Sequence, residues 1–310
     1  MFIRILDLDG GVTAQREFVD RSAAAVVPMQ DWGPSIRICC SFPRFRRFER
    51  ELANRLADEI PGPAISFCGS GDFHHVTIAF LRRLQEPFNL LVLDKHPDWM
   101  RGAPLMHCGT WAYHALRLPN LQRLFHLGGD LDFDNWLRWF APWRLLREGR
   151  IKVVPGVRRF TRGRWRSIPC EPLRADPDRP VSAERLERLC GSFRTDLARF
   201  PLYISIDKDV MQMSDSLVNW DSGYLELREV QSALTWFIKA AVGRVIGIDV
   251  SGDWSRSRTQ GILRSVLNIT EHHALRVHPQ EAAAVNGRAN QALIKTIGRA
   301  ITPSIPLAVT

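Results

Sequence analysis

Short apolar runs separated by amphipathic stretches set the rhythm of this chain. Phe2–Leu8, Ala64–Cys68, the run opening at Asn89, Leu121–Leu127, Ile151–Val154, Leu202–Ile206 and Arg244–Val250 read as strands. Leu90–Leu93 has no polar position, the pattern of a strand covered on both faces. Between the runs, apolar residues recur at helical spacing. Phe45, Phe48, Leu52 and Leu56 stripe a helix over Arg44–Ile60, which Pro61, Gly62 and Pro63 close. Further helices are predicted over Phe73–Leu84, Ala183–Phe200, Leu225–Ala241 and, near the end, residues 260–275 and 279–300. Residues 10–43 are punctuated by Gly and Pro and predict irregular chain, with a short strand over Ser35–Cys40. The segment holding Trp136, Trp139 and Trp143 reads as helix and loop, and the Arg- and Pro-rich residues 155–181 as irregular. Strand alternating with helix predicts an α/β fold: a three-layer αβα sandwich around a mainly parallel sheet, one domain over residues 1–310.

Composition narrows the classes. No apolar run reaches the roughly 18 residues of a membrane span, so no membrane partner is expected. Acidic residues follow the first apolar run almost at once, so Phe2–Leu8 reads as a first strand rather than a signal peptide. The six cysteines form no C-x-x-C pair, which predicts reduced thiols and a cytoplasmic protein. The net charge of +9 comes from spread arginines without a nucleic-acid motif, so it reads as solvated surface rather than a nucleic-acid footprint.

The chemistry gathers at strand ends. After Leu90–Leu93 come Asp94, His96 and Asp98, two residues apart and therefore on one side of an extended chain. Pro97 ends the strand there. Asp207 and Asp209 follow Leu202–Ile206 with the same spacing, Asp72, His74 and His75 follow Ala64–Cys68, and Asp249 and Asp253 follow Val245–Ile248. In a parallel sheet these ends open on one edge, where such folds bind ligands. Carboxylates brought that close repel one another and favour a cation between them. Carboxylate and imidazole donors suit two Mn²⁺ ions, with Zn²⁺ or Fe²⁺ as alternatives. Two ions about 3.5 Å apart can share a water and lower its pKa toward neutrality.

GSGDFHH at 69–75, DKHPD at 94–98, MHCGTW at 106–111 and SIDKDV at 205–210 together resemble the signatures of the arginase (ureohydrolase) superfamily. The likeness runs over about residues 60 to 255. It implies a binuclear manganese enzyme that hydrolyses a guanidinium C–N bond to urea and an amine. By position it implies His74, Asp94, Asp98 and Asp207 on one metal, and His96, Asp94, Asp207 and Asp209 on the other. It implies His107 as proton donor to the leaving amine. The first motif carries one extra residue, so His74 and His75 compete for one ligand position. His74 fits better, because His75-Val76-Thr77 then matches the Ser–apolar–Thr run of the family. Gln212 stands where the last signature has its third Asp. Gly252 stands where the family has its guanidinium-binding Glu, and Asp253, one residue later, is the candidate anchor for the substrate's cationic head.

The Arg- and Trp-rich middle resembles a divergent branch that includes peptide arginases, so the expected partners are a small guanidino compound or an arginine-containing peptide, and a possible homo-oligomer. Asp72 is expected to cap a helix or orient a ligand imidazole, Asp7 and Asp9 to be structural or to support the metal ligands from behind, and His272 and His273, on a late helix, to lie on the surface or at an interface. Two rivals remain: a metal-dependent deacylase or amidohydrolase on the same fold, which needs one metal, and a non-catalytic metal-binding protein.

Overall fold

The computed structural model describes residues 1–57, 62–129, 136–156, 171–174, 180–272 and 277–301. The strands are β1 (Phe2–Asp7), β2 (Ala25–Pro28), β3 (Cys39–Cys40), β4 (Ala64–Phe67), β5 (Phe88–Leu93), β6 (Met106–His107), β7 (Leu121–Leu127), β8 (Ile151–Val154), β9 (Leu202–Asp207) and β10 (Val245–Ser251). The helices are α1 (Arg16–Ser22), α2 (Gly33–Ile36), α3 (Phe42–Arg55), α4 (Thr77–Leu81), α5 (Trp111–Ala115), α6 (Trp143–Arg147), α7 (Ala183–Cys190), α8 (Arg194–Arg199), α9 (Leu227–Ala240), α10 (Ile262–Glu271) and α11 (Pro279–Ile301).

Eight strands form one sheet in the order β2-β1-β4-β10-β9-β5-β7-β8, and every pairing within it is parallel. Helices cover both faces, so the architecture is the three-layer α/β sandwich that the pattern predicts. β5 and β9 lie inside the sheet and are buried at every position, which is why their sequences show no polar alternation. Alternation reappears as a division between two cores. Leu90 and Val92 join Phe45, Phe48 and Phe80 on one face. Leu91 and Leu93 join Ile204, Ile206 and Phe237 on the other.

Several boundaries differ from expectation for local reasons. Residues 10–43 hold α1, and they hold β2, which extends the sheet beyond β1. The strand expected over Ser35–Cys40 shrinks to Cys39–Cys40, because Gly33–Ile36 turns helically with Pro34 near its start. β3 pairs antiparallel with β6 outside the main sheet. α3 begins at Phe42, where the Ser41 hydroxyl accepts the Arg44 amide. The helix expected over Phe73–Leu84 is a 3₁₀ turn over Gly71–Val76 followed by the short α4. The helix expected over Ala183–Phe200 is interrupted by a 3₁₀ turn over Gly191–Phe193. α9 starts at a reciprocal cap between Glu226 and Glu229. Much of the irregular stretch expected over 155–181 lies outside the described residues, as does His273.

Candidate metal centre

The C-terminal ends of β4, β5 and β9 converge on one point. Parallel pairing of β9 with β5 and with β10 sets Ile206 beside Leu93 and Asp207 beside Ser251, so the polar residues after each strand leave the sheet at one level. The 3₁₀ turn after β4 then folds His74 inward over them. Its Gly71 lies so near that a Cβ would stand 2.7 Å from Asp207 Oδ2.

His74 Nδ1 is 2.9 Å from Asp98 Oδ2, 3.2 Å from Asp94 Oδ2 and 3.6 Å from Asp207 Oδ2. His96 Nδ1 is 2.7 Å from Asp209 Oδ2 and 3.8 Å from Asp94 Oδ1. Two groups of metal-binding type result, His74–Asp94–Asp98 and Asp94–His96–Asp209, with Asp94 common to both. His74 and all four carboxylates are buried, while the His96 side chain stays 36% exposed and opens the cluster to solvent.

Burial disfavours the charge on all four carboxylates, and neighbouring carboxylates add repulsion. The pKa values of Asp94, Asp98 and Asp209 are raised, and that of Asp207 is pushed up to about 6, with Asp209 the second cause. For the imidazoles burial acts the other way and is overcome. Asp94 and Asp98 hold His74 well above its ordinary value, and Asp209 helps push His96 up to about 10. The cluster therefore calls for positive charge at its centre. Buried Asp94 Oδ2 makes no hydrogen bond among the described residues. Carboxylate oxygens and two imidazole nitrogens, one oxygen lacking a donor, fit a pair of divalent cations.

Neighbouring groups fix the donors. His74 Nε2 lies 2.9 Å from Ser205 Oγ, and Ser205 donates to Asp249 Oδ2 at 2.8 Å, as does Thr77 Oγ1. Ser205 and Asp249 are register partners in β9 and β10, which explains their contact. With Ser205 held at Nε2, Nδ1 faces the carboxylates. Trp111 Nε1 donates to Asp98 Oδ2 at 2.7 Å, the Lys95 amide to Asp209 Oδ1 at 3.0 Å and Ser251 Oγ to Asp207 Oδ2 at 3.2 Å.

The structure brings His74 rather than His75 to the carboxylates. His75 points toward Phe45, 5.6 Å between rings, and burial lowers its pKa to about 3. His107 ends β6 next to Asp98: a Cβ at Gly109 would lie 3.4 Å from His107 Nδ1 and 3.9 Å from Asp98 Oδ1. His107 Nδ1 accepts the Gly109 amide at 2.9 Å, so the neutral ring carries its proton on Nε2.

Asp253 corrects an expectation. It is fully buried, and its Oδ1 accepts Lys208 Nζ at 2.5 Å, Gln15 Nε2 at 2.5 Å and Asn290 Nδ2 at 3.2 Å. Its carboxylate is committed to an interior ion pair rather than presented to a substrate. Gly252 adopts φ +90°, and a Cβ there would overlap Asp207 Oδ1, so no side chain fits the family's anchor position.

Asp72 neither caps its turn, which Ser70 does, nor touches His74 in the contacts seen. It accepts Arg37 Nε at 2.6 Å and Trp220 Nε1 at 2.9 Å, and lies 2.8 Å from His272 Nε2. Burial alone would raise its pKa, yet Arg37 and His272 hold it well below the usual carboxylate range. His272, expected on the surface or at an interface, is thereby drawn inward. Its ring stands 5.5 Å from that of Trp220, which is 5.6 Å from that of His96.

No family model matches the sequence. An uncharacterized protein of Thermotoga maritima is 23% identical over 224 residues, 70% of this chain and 71% of the relative. Among solved structures, an arginase from Bacillus subtilis superposes with a TM-score of 0.53 at 12% identity, over 95% of this chain and 98% of that one. A proclavaminate amidino hydrolase from Streptomyces clavuligerus gives 0.52 at 16% identity, over 96% and 91%. An agmatine ureohydrolase of Thermoplasma volcanium gives 0.50 at 12%, over 96% and 88%. The chain has the arginase-type fold.

Proposed function

We propose that this chain, built on the fold of the arginases, is a ureohydrolase-type hydrolase that uses two Mn²⁺ ions to cleave a guanidinium C–N bond. The observation that carries this reading is the pair of ligand groups sharing Asp94 at the C-terminal edge of the parallel sheet. Solved structures of the same fold are described as an arginase, an agmatine ureohydrolase and an amidino hydrolase, which supports the reaction class.

In this reading His74, Asp94, Asp98 and Asp207 hold one ion, and His96, Asp94, Asp207 and Asp209 hold the other. When bound, the ions supply Lewis acidity that brings a water's pKa toward neutrality. The chain does the rest. Ser205 and Asp249 hold the His74 ring in one orientation. Trp111 and Ser251 fix the carboxylates, so the donors need no rearrangement during turnover. His107 Nε2 delivers a proton to the departing nitrogen. The balance is one guanidinium and one water giving urea and an ammonium. The anionic cluster and the exposed edge of His96 receive the cationic head, since Asp253 is held by Lys208.

The substrate is a small guanidino compound or an arginine within a peptide, the latter becoming ornithine. Among the described residues the cysteines are buried thiols that form no disulfide, which supports a cytoplasmic setting. Among the described residues, no helix is long and apolar enough to cross a membrane. The test is urea release from arginine, agmatine, guanidino acids and arginine-containing peptides, with Mn²⁺ added, for the wild type and Asp98→Ala. Urea from one class, lost in the variant, is expected. No urea from any member sinks the proposal.

A further inference from the structure

A cavity of about 460 Å³ opens beyond the ends of β1 and β10. None of the candidate metal ligands lines it. This volume is that of a site for a small organic molecule.

Its charge is one-sided. Arg256 and Arg258 line it and are exposed, and among the described residues neither guanidinium has a carboxylate partner. Ser257 between them is turned to Asn268 of α10. Asp9 is the lining carboxylate, and it is already committed. It accepts the amides of Gly11 at 2.9 Å and Ser70 at 3.1 Å and the Ser255 hydroxyl at 2.6 Å, and it faces buried Arg37 at 3.7 Å.

A helix end also borders the cavity. Pro279 and Ala283 line the cavity, so the first turn of the 23-residue α11 borders it. The helix dipole favours an anion at that end, but the same turn carries Glu281, Pro279 has no N–H and the Ala282 amide donates to the His278 carbonyl, so recognition rests on the two arginines. Leu8, Pro34 and Trp254 supply apolar wall.

We infer that this cavity binds a small organic anion, its carboxylate or phosphate held by Arg256 and Arg258 at the first turn of α11 and its apolar body against Trp254 and Pro34. This site is independent of the metal centre and stands whether or not the chain hydrolyses guanidines.

Titration calorimetry at constant ionic strength tests it, with phenyl phosphate and benzoate as probes to separate phosphate from carboxylate recognition. The proteins are the wild type, the Arg256→Ala/Arg258→Ala double variant, which removes the charge, and Ala283→Phe, which fills the cavity and leaves the charge. At least one probe should bind the wild type with a Kd of roughly 1 mM or tighter, weakening about tenfold or more in both variants. Binding weaker than that for both probes, or affinity retained in Ala283→Phe, overturns the inference; the latter outcome marks diffuse attraction to surface arginines.

Discussion

Lys208→Met is the sharpest single perturbation of the interior. Lys208 Nζ lies 2.5 Å from Asp253 Oδ1 and 3.0 Å from Asn290 Oδ1, and both members of the ion pair are 0% exposed. Removing the ammonium leaves a buried carboxylate that, among the described residues, keeps the side-chain amides of Gln15 and Asn290. Breaking one side of such a pair costs about 3–5 kcal/mol. For a chain of this size, about 2 °C of Tm per kcal/mol makes that a fall of roughly 6–10 °C. The double variant Lys208→Met/Asp253→Leu removes both charges and should return to within about 1 kcal/mol of the wild type. Differential scanning calorimetry reads both. The same double variant should keep its metal content and its KM, because Asp253 serves the interior and not the substrate. A Lys208→Met shift below about 2 °C, or a double variant no better than the single, would refute the reasoning.

Ser205→Ala and Asp249→Asn should each weaken metal binding by about 10–100-fold, read by competition with a chelating dye, while the metal-free proteins keep their circular dichroism. Gly252→Ala should fail more severely, since its φ of +90° and the adjacent Asp207 leave no place for a Cβ; a cost of at least about 1–3 kcal/mol from backbone strain is expected, with loss of bound metal measured by mass spectrometry. His126 is buried, its Nε2 3.1 Å from the Asp94 carbonyl, and burial lowers its pKa to about 4. Its folded value lies below its ordinary one, so its contribution is complete above about pH 6.5 and is lost as pH falls toward about 4. The stability advantage of the wild type over His126→Gln should therefore shrink by about 3 kcal/mol across that window, as followed by urea denaturation.

What the sequence made legible was local and periodic. The apolar run of β5 announces a strand covered on both faces, and alternate acids and imidazoles after it announce a shared edge. Asp207 and Asp209 also reach the cluster, but not by alternation: β9 ends at Asp207, and Asp209 lies in a 3₁₀ turn over Lys208–Val210. That turn directs Lys208 to Asn290 of α11 and to Asp253, a pairing the strand pattern does not reach. Position alone does not separate a carboxylate facing a substrate from one facing a buried lysine. The contacts of Asp72 were beyond reach, because Arg37, Trp220 and His272 are 35, 148 and 200 residues away from it in the chain. β2 was missed because four residues ending in Pro28 carry little periodic signal. Its strand character comes from pairing with β1.

Counting manganese decides the central claim most directly. Protein loaded with Mn²⁺, freed of excess metal and measured by inductively coupled plasma mass spectrometry should carry two ions per chain, one for each ligand group. Asp94→Asn, which alters the carboxylate common to both groups, should lower the occupancy of both. A wild type that retains no metal, or a variant that still holds two ions at wild-type affinity, would contradict the account.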